Sequence, residues 1–239
     1  MEHAQLTYTE AVMRLKEEVF RANMALVEEG LVVLTWGNAS GIDRDLGLVA
    51  IKPSGVDYAK LKAEDMVVLD LDGNVVEGTL KPSSDTPTHL EIYKAFTHVG
   101  GIVHTHSINA TAFAQAGMPI TAHGTTHADC FYGDVPCTRE LTPEEIARDY
   151  EKNTGLVIVE HFRGADTRAM PAILVKNHAP FTWGETPRKA VEAAVTLEAV
   201  AEMSIKTRLV FPETPKVRQD LLDKHYFRKH GVNSYYGQK

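Results

Sequence analysis

Only two cysteines, Cys130 and Cys137, stand in 239 residues, and they are not spaced as C-x-x-C. A disulfide framework needs more of them and a closed structural zinc site needs the paired spacing, so neither is expected. The pattern fits two reduced thiols in a cytoplasmic protein. No stretch approaches the ~20 apolar residues of a membrane span. The opening MEHAQLTYTEAVMRLKEEVF carries acidic residues and lacks the apolar run and cleavage signal of a secretory leader. Positive charge is also not in excess: 25 Lys and Arg face 32 Asp and Glu, a formal net charge of −7. Nucleic-acid binding needs a basic face, so neither a nucleic-acid nor a membrane partner is expected. A small anionic ligand is not excluded, because a few local donors can hold one phosphate. Internal repeats, low-complexity segments and linkers are missing too.

What is present is an ordinary globular composition, 44% hydrophobic, in a chain long enough for a sizeable core. The expectation is one domain over 1–239. Thr7 and Glu10 fit a capping box, and Val12, Leu15, Val19, Ala22 and Leu26 follow helical spacing up to Gly30. LVVLTW, from Leu31, is rich in strand formers. LGLVAIKPSG and DMVVLDLDGNVVEG read as further strands, with a hairpin turn at Asp72-Gly73. Thr86-Pro87 opens a helix lined by Leu90, Tyr93 and the stem of Lys94. A short helix follows through Ala110–Gln115. Thr142-Pro143-Glu144-Glu145 combines cap, first-turn proline and capping box. PAILVKNHAPF holds a buried strand. Thr186-Pro187 opens the strongest helix, with Val191, Ala194, Leu197, Ala201 and Ile205 on one face. Strands and helices alternate without a strict βαβ rhythm, which predicts an α/β domain with a mixed or largely antiparallel sheet.

In GGIVHTHSINATA, His104 and His106 are separated by one residue. Residues two apart on a strand share a side, so both imidazoles would point one way and could supply two metal ligands. Alone this is weak, since most histidines are not ligands. The continuation excludes several known uses of H-x-H. Ser107-Ile108-Asn109 is not the Asp-then-His of metallo-β-lactamases, Ala110-Thr111-Ala112 lacks the Glu of cupins, and the pair sits too far along a short chain for an amidohydrolase barrel. His178 in KNHAP is a candidate third donor at the end of an apolar strand. Asp85 in PSSDTPTH is a candidate carboxylate, although an Asp before a helix ordinarily serves as a cap. His89, His123 and His127 are read as non-ligands. Three further segments, TWGNAS, IKPSG and KPSSD, are turns whose hydroxyls and backbone N–H groups could cradle a phosphate. None is a Walker A or dinucleotide motif.

Taken together, TWGNAS, IKPSG, KPSSDTPTH, GGIVHTHS, GTTHAD, VPCTR and LLDKHYFRKHG…YYGQ resemble the class II aldolase/adducin family, from about residue 10 to the C-terminus. Within it they are most similar to the L-ribulose-5-phosphate 4-epimerase branch. The resemblance implies a three-layer α/β/α fold with a central, mostly antiparallel sheet. It also implies a cyclic homotetramer with active sites between subunits, to which the tail from about 215 to 239 contributes. It implies that His104, His106 and His178, with Asp85, hold a divalent metal, usually Zn2+, with Mn2+ or Co2+ as alternatives. Fuculose-phosphate aldolases carry Glu where Asp85 stands, which favours an epimerase acting on a phosphorylated ketopentose. Gly37, Asn38, Ser54, Gly55, Ser83 and Ser84 match substrate and phosphate contacts, with Lys52 adding charge. Asp129 and Tyr236 match two catalytic acid/base groups and His225 a further catalytic-site residue supplied across an interface. Thr125 and Glu151 are weaker matches. An aldolase or dehydratase of the same fold, or a non-catalytic adducin-like module, are the competing expectations.

Overall fold

The computed structural model describes residues 7–231 and 234–235. Helix α1 (Tyr8–Glu28) opens with the expected capping box: the Thr7 hydroxyl accepts from the Glu10 N–H, and the Glu10 carboxylate accepts from the Thr7 N–H. Val12, Leu15, Val19, Ala22 and Leu26 are all buried, as their spacing predicts. The expected strand at LVVLTW is not formed. Leu34 adopts a positive φ of 55° and the Trp36 N–H bonds back to the Val33 carbonyl, so the segment closes a turn instead of pairing.

The first strand is β1 (Asn38–Asp43), followed by β2 (Leu48–Ile51), β3 (Val67–Asp70), β4 (Val75–Glu77), β5 (Gly101–His104), β6 (Ala172–Leu174) and β7 (Pro180–Gly184). They form one seven-stranded sheet in the order β4-β3-β2-β1-β5-β7-β6. Every pairing is antiparallel. The Asp72-Gly73 turn joins β3 to β4 as expected, with Gly73 at φ 89°.

Helices cover the sheet on both sides. They are α2 (Thr86–Ala95), α3 (Ile108–Ala116), the short α4 (Thr125–Ala128), α5 (Pro143–Ala147), α6 (Tyr150–His161), α7 (Pro187–Val210) and α8 (Gln219–His230). On one side α1 and the start of α7 pack on Ala39 and Val103. Gly41, Gly101 and Gly184 stand opposite one another across β1, β5 and β7. A β-carbon on Gly101 would lie 2.3 Å from the Pro187 backbone, and one on Gly41 2.8 Å from the Pro187 ring. This glycine row lets the N-terminus of α7 rest directly on the sheet. On the other side α2 and α6 close over Ile42, Ile102 and an aromatic group of Phe96, Phe162 and Trp183. On α2, Ile92 joins Leu90 and Tyr93 in the core, and Lys94, expected to line the buried face, is exposed. Its ammonium meets Glu91 at 3.3 Å on the helix surface, and a cation in the last turn is favoured by the helix dipole.

Candidate active site

Strand β5 ends at His104, so His106 stands just past the strand rather than on it; Thr105 between them is buried, and the two rings lie 4.9 Å apart between centroids. Their Nε2 atoms are 3.2 Å apart. The sequence places His178 at a strand end; it lies instead in the tight turn between β6 and β7, next to Asn177 at φ 62°. Its ring centroid is 4.8 Å from that of His104 and 5.2 Å from that of His106. One nitrogen from each of the three lies within 4.8 Å of the others. Ligand nitrogens at 2.0–2.1 Å from a tetrahedral ion stand about 3.4 Å apart, so the spacing suits one cation.

The outer nitrogens are already engaged. His104 Nδ1 is 3.0 Å from the Pro180 carbonyl oxygen and donates to it, which leaves the Nε2 lone pair for an ion. His104 also stacks on Phe181 at 4.2 Å between centroids. His178 Nδ1 is 3.4 Å from the Tyr150 hydroxyl. Burial, reinforced by the neighbouring His104 and His106 and opposed by Asp85, pushes His178 down to about 4. Burial and then His104 lower His106 as well. Neutral imidazoles are the ligand form. The donor set therefore fits a divalent cation.

Asp85 precedes α2 but makes no cap hydrogen bond. Its Oδ2 accepts from Asn38 Nδ2 at 2.7 Å and from Ser83 Oγ at 3.4 Å. Burial alone would raise its pKa. His104, His89, the Asn38 hydrogen bond and His178 outweigh it and hold the carboxyl below its ordinary range. Asp85 lines the same cavity as the histidines but is not one of the group within 4.8 Å.

That cavity, of about 600 Å³, is walled by the three hydroxyl- and glycine-rich segments seen in the sequence. Gly37 and Asn38 come from the first, Lys52, Ser54 and Gly55 from the second, and Ser83 and Ser84 from the third. The second and third are joined: Ser54 N–H donates to the Lys81 carbonyl at 2.9 Å and Ser83 N–H to the Lys52 carbonyl at 3.1 Å. Gly37 has φ 84°, and a β-carbon there would meet the His104 carbonyl oxygen at 2.9 Å. Only glycine lets this loop lie against the histidine-bearing end of β5. Lys52 is buried; its Nζ donates to the Val56 carbonyl at 2.9 Å and lies 4.5 Å from the Tyr58 ring centroid. Burial lowers its pKa. The lysine thus ties its own loop while placing charge at the cavity wall. Glu151, on α6, lines the cavity too.

Thr125, Asp129 and His225 do not line it. Asp129, just past α4, is gripped by α8: Arg228 Nη2 reaches its two carboxylate oxygens at 2.9 and 2.8 Å, and His225 Nδ1 lies 3.0 Å away. Lys229 adds a contact at 3.6 Å. Burial would raise the Asp129 pKa, but Arg228, His225 and Lys229 more than offset it and keep the carboxylate ionised. Tyr236 lies outside the described residues. Four cavity residues escape the site assignments made from sequence, Thr35, Trp36, Pro53 and Tyr150. Trp36 sits inside TWGNAS, and that motif was signal enough to find it. Tyr150 carries no local signal, since only the packing of α6 beside the β6–β7 turn brings it to His178.

Burial also holds His89 at about 3, against the ordinary 6.5. An unfolded chain takes up protons on His89 and His178 below about pH 6.5, and the folded chain does not. Stability of the metal-free protein is therefore complete above about pH 6.5 and lost progressively toward pH 4 and below. Its Tm is expected to be level near neutral pH and several degrees lower at pH 5, at about 2–4 °C for each kcal/mol lost. A level Tm down to pH 5 would contradict burial of neutral imidazoles.

A seven-stranded antiparallel α/β fold with three histidines in a loop-walled cavity defines the class. The chain belongs to the class II aldolase and adducin family: residues 17–205 match its Class II Aldolase and Adducin N-terminal domain. Among solved structures it is similar to an L-fuculose 1-phosphate aldolase, at 27% identity and TM-score 0.77, covering 91% of this chain and 96% of the other. The L-fuculose-1-phosphate aldolase of Thermus thermophilus is 25% identical at TM-score 0.67, covering 85% and 99%. YgbL of Klebsiella pneumoniae, described with aldolase, epimerase and decarboxylase as open choices, is 25% identical at TM-score 0.71, covering 89% and 98%. Among the described residues, no helix is long and apolar enough to cross a membrane.

Proposed function

We propose that this chain is a divalent-metal-dependent enzyme acting on a phosphorylated ketopentose, interconverting L-ribulose 5-phosphate and D-xylulose 5-phosphate. The observation that carries the reading is the meeting of His104, His106 and His178 with three donor-rich loops around one cavity. Asp85 in place of the aldolases' Glu, and the C-terminal motif that the sequence shares with epimerases, support this choice within the family.

The inverted carbon, C4, is not adjacent to the carbonyl at C2, so simple deprotonation there cannot invert it. Retro-aldol cleavage can. A base takes the C4 hydroxyl proton, the C3–C4 bond breaks, and its electron pair passes to the C2–C3 fragment. Dihydroxyacetone enediolate and glycolaldehyde phosphate result. The aldehyde turns, the bond re-forms on its other face, and the C4 oxygen is reprotonated. A bound divalent cation, Zn2+ by preference, supplies charge neutralisation as a Lewis acid. Ser54, Gly55, Ser83, Ser84 and Asn38 retain the phosphate-bearing fragment while it turns. Attack on two faces calls for two acid/base groups, Asp129 and Tyr236. Asp129 does not line the cavity of its own chain, so the reading assigns it, with His225, to a neighbouring subunit's cavity in a homotetramer.

The likeness to L-fuculose 1-phosphate aldolase favours a second reading, a sugar-phosphate aldolase. Coupled assays on L-ribulose 5-phosphate and L-fuculose 1-phosphate, each with and without chelator, separate the two. Chelator-sensitive formation of D-xylulose 5-phosphate is the expected result. Turnover of the fuculose ester alone would replace the epimerase reading with the aldolase one. A protein that binds no metal and turns over neither would be a binding module.

A further inference from the structure

Each histidine of the cavity has an aromatic neighbour. Phe181, fully buried, stacks against His104 at 4.2 Å between centroids. Tyr150 stands 6.2 Å from His178. Trp36 stands 6.3 Å from His106, with the two rings tilted by 50°. Of these three aromatic residues Trp36 alone is exposed, at 53%, whereas the protein's other tryptophan, Trp183, is 1% exposed.

The backbone fixes Trp36 in that place from both sides. Before it, Leu34 is held at φ 55°, a left-handed conformation that leucine rarely adopts, and the Trp36 N–H donates to the Val33 carbonyl at 3.0 Å. After it, Gly37 lies against the His104 carbonyl, and the Gly37 carbonyl accepts from the Tyr58 hydroxyl at 2.9 Å. The turn thus carries backbone strain, is anchored to the site, and presents a large apolar ring to a cavity walled mainly by hydroxyls, glycines, imidazoles and charged groups. Strain of this kind persists where the surrounding structure determines it, and it clusters at functional sites. Folding gains nothing from the exposure itself, since an indole is stabilised by burial.

The retro-aldol step leaves C3 as the nucleophilic carbon of an enediolate. Water that reaches it transfers a proton to C3, and the hydroxide left behind neutralises the proton taken from the C4 hydroxyl. The net products are then free dihydroxyacetone and glycolaldehyde phosphate, and the bond is not re-formed. The serine and glycine loops can hold the phosphate of one fragment but offer the enediolate no apolar surface. We propose that Trp36 is the cover that keeps water from the enediolate, its indole lying against the C2–C3 fragment on the His106 side of the cavity. The proposal rests on the epimerase reading of the site.

Product partition tests this independently of the rate. Dihydroxyacetone released from L-ribulose 5-phosphate, detected with glycerol dehydrogenase and NADH, is counted against D-xylulose 5-phosphate formed. Trp36→Ala is expected to raise that ratio by about tenfold or more, and Trp36→Phe, which keeps an apolar ring, to hold it within about threefold of the wild type. In heavy water the released dihydroxyacetone should carry one solvent deuterium. A merely structural role would lower turnover and leave the ratio alone. An unchanged ratio in Trp36→Ala, or equal release from the two variants, would overturn the proposal. A second measurement needs no variant. Because Trp183 is buried, acrylamide quenching of the tryptophan emission reports on Trp36. A saturating equilibrium mixture of the two pentulose phosphates is expected to lower the quenching constant of the metal-loaded enzyme by about twofold or more. Unchanged quenching would place Trp36 away from the substrate and refute the cover, and this result decides should Trp36→Ala not fold. A wild-type protein that forms no D-xylulose 5-phosphate would remove the epimerase reading, and the proposal with it. One that epimerises without these responses at Trp36 removes the cover alone.

Discussion

Replacing His104 with asparagine is expected to abolish metal binding and turnover together, with kcat/KM falling by roughly a thousandfold or more, about 4 kcal/mol of transition-state stabilisation. The reason is the position of this ring. It closes β5, donates through Nδ1 to the Pro180 carbonyl, stacks on Phe181 and turns Nε2 toward His106 and His178. The other two histidines hang from a loop and a tight turn and are aligned by it. Asparagine cannot both bond to Pro180 and reach the ion. Metal content by elemental analysis, measured beside activity, checks the result. Full activity with intact metal would remove His104 from the site.

Asp129→Asn is expected to behave oppositely, keeping the metal and losing epimerisation by about 10²–10⁴-fold, the usual contribution of an acid/base group. Arg228, His225 and Lys229 hold Asp129 as a carboxylate, so the amide removes charge as well as basicity. Because Asp129 does not line the cavity of its own chain, the two variants should complement each other. Neither homo-oligomer would turn over substrate. A randomly mixed cyclic assembly of His104→Asn and Asp129→Asn chains should regain about one active site in four, those pairing an intact histidine group with an intact Asp129 from a neighbour. Absence of recovery in a verified mixed assembly would sink the shared-site reading. Recovery would also separate it from simple misfolding, since misfolded chains do not restore one another.

Much of the local structure could be read from the chain. The capping boxes at Thr7 and Thr142 and the helix opened by Thr186-Pro187 are as expected. So is the Asp72-Gly73 turn. Each depends on residues three or four apart. The errors have a common cause. LVVLTW has strand propensity but no strand beside it, so its backbone closes a turn. The sequence puts His178 at a strand end because it does not show that β6 stops at Leu174 and a turn follows. Asp85 is not such an error: it was expected as a site carboxylate, and the fold brings it to Asn38 on β1, 47 positions away in sequence, where no local pattern could place it.

The sequence by itself determined the residue types of the site and the donor-rich character of three loops. These follow from side-chain chemistry, whereas His106 lies past the end of β5, where strand periodicity no longer places it. Only the tertiary structure decided that the three loops and three histidines wall one cavity, and that Tyr150 and Trp36 belong to it. It also decided that Asp129 is bound to α8 away from that cavity. Those outcomes depend on the order of β1, β5 and β7 in the sheet and on how α2, α6 and α8 pack. Long-range pairing is selected by the burial of whole faces, and no short stretch of sequence contains it.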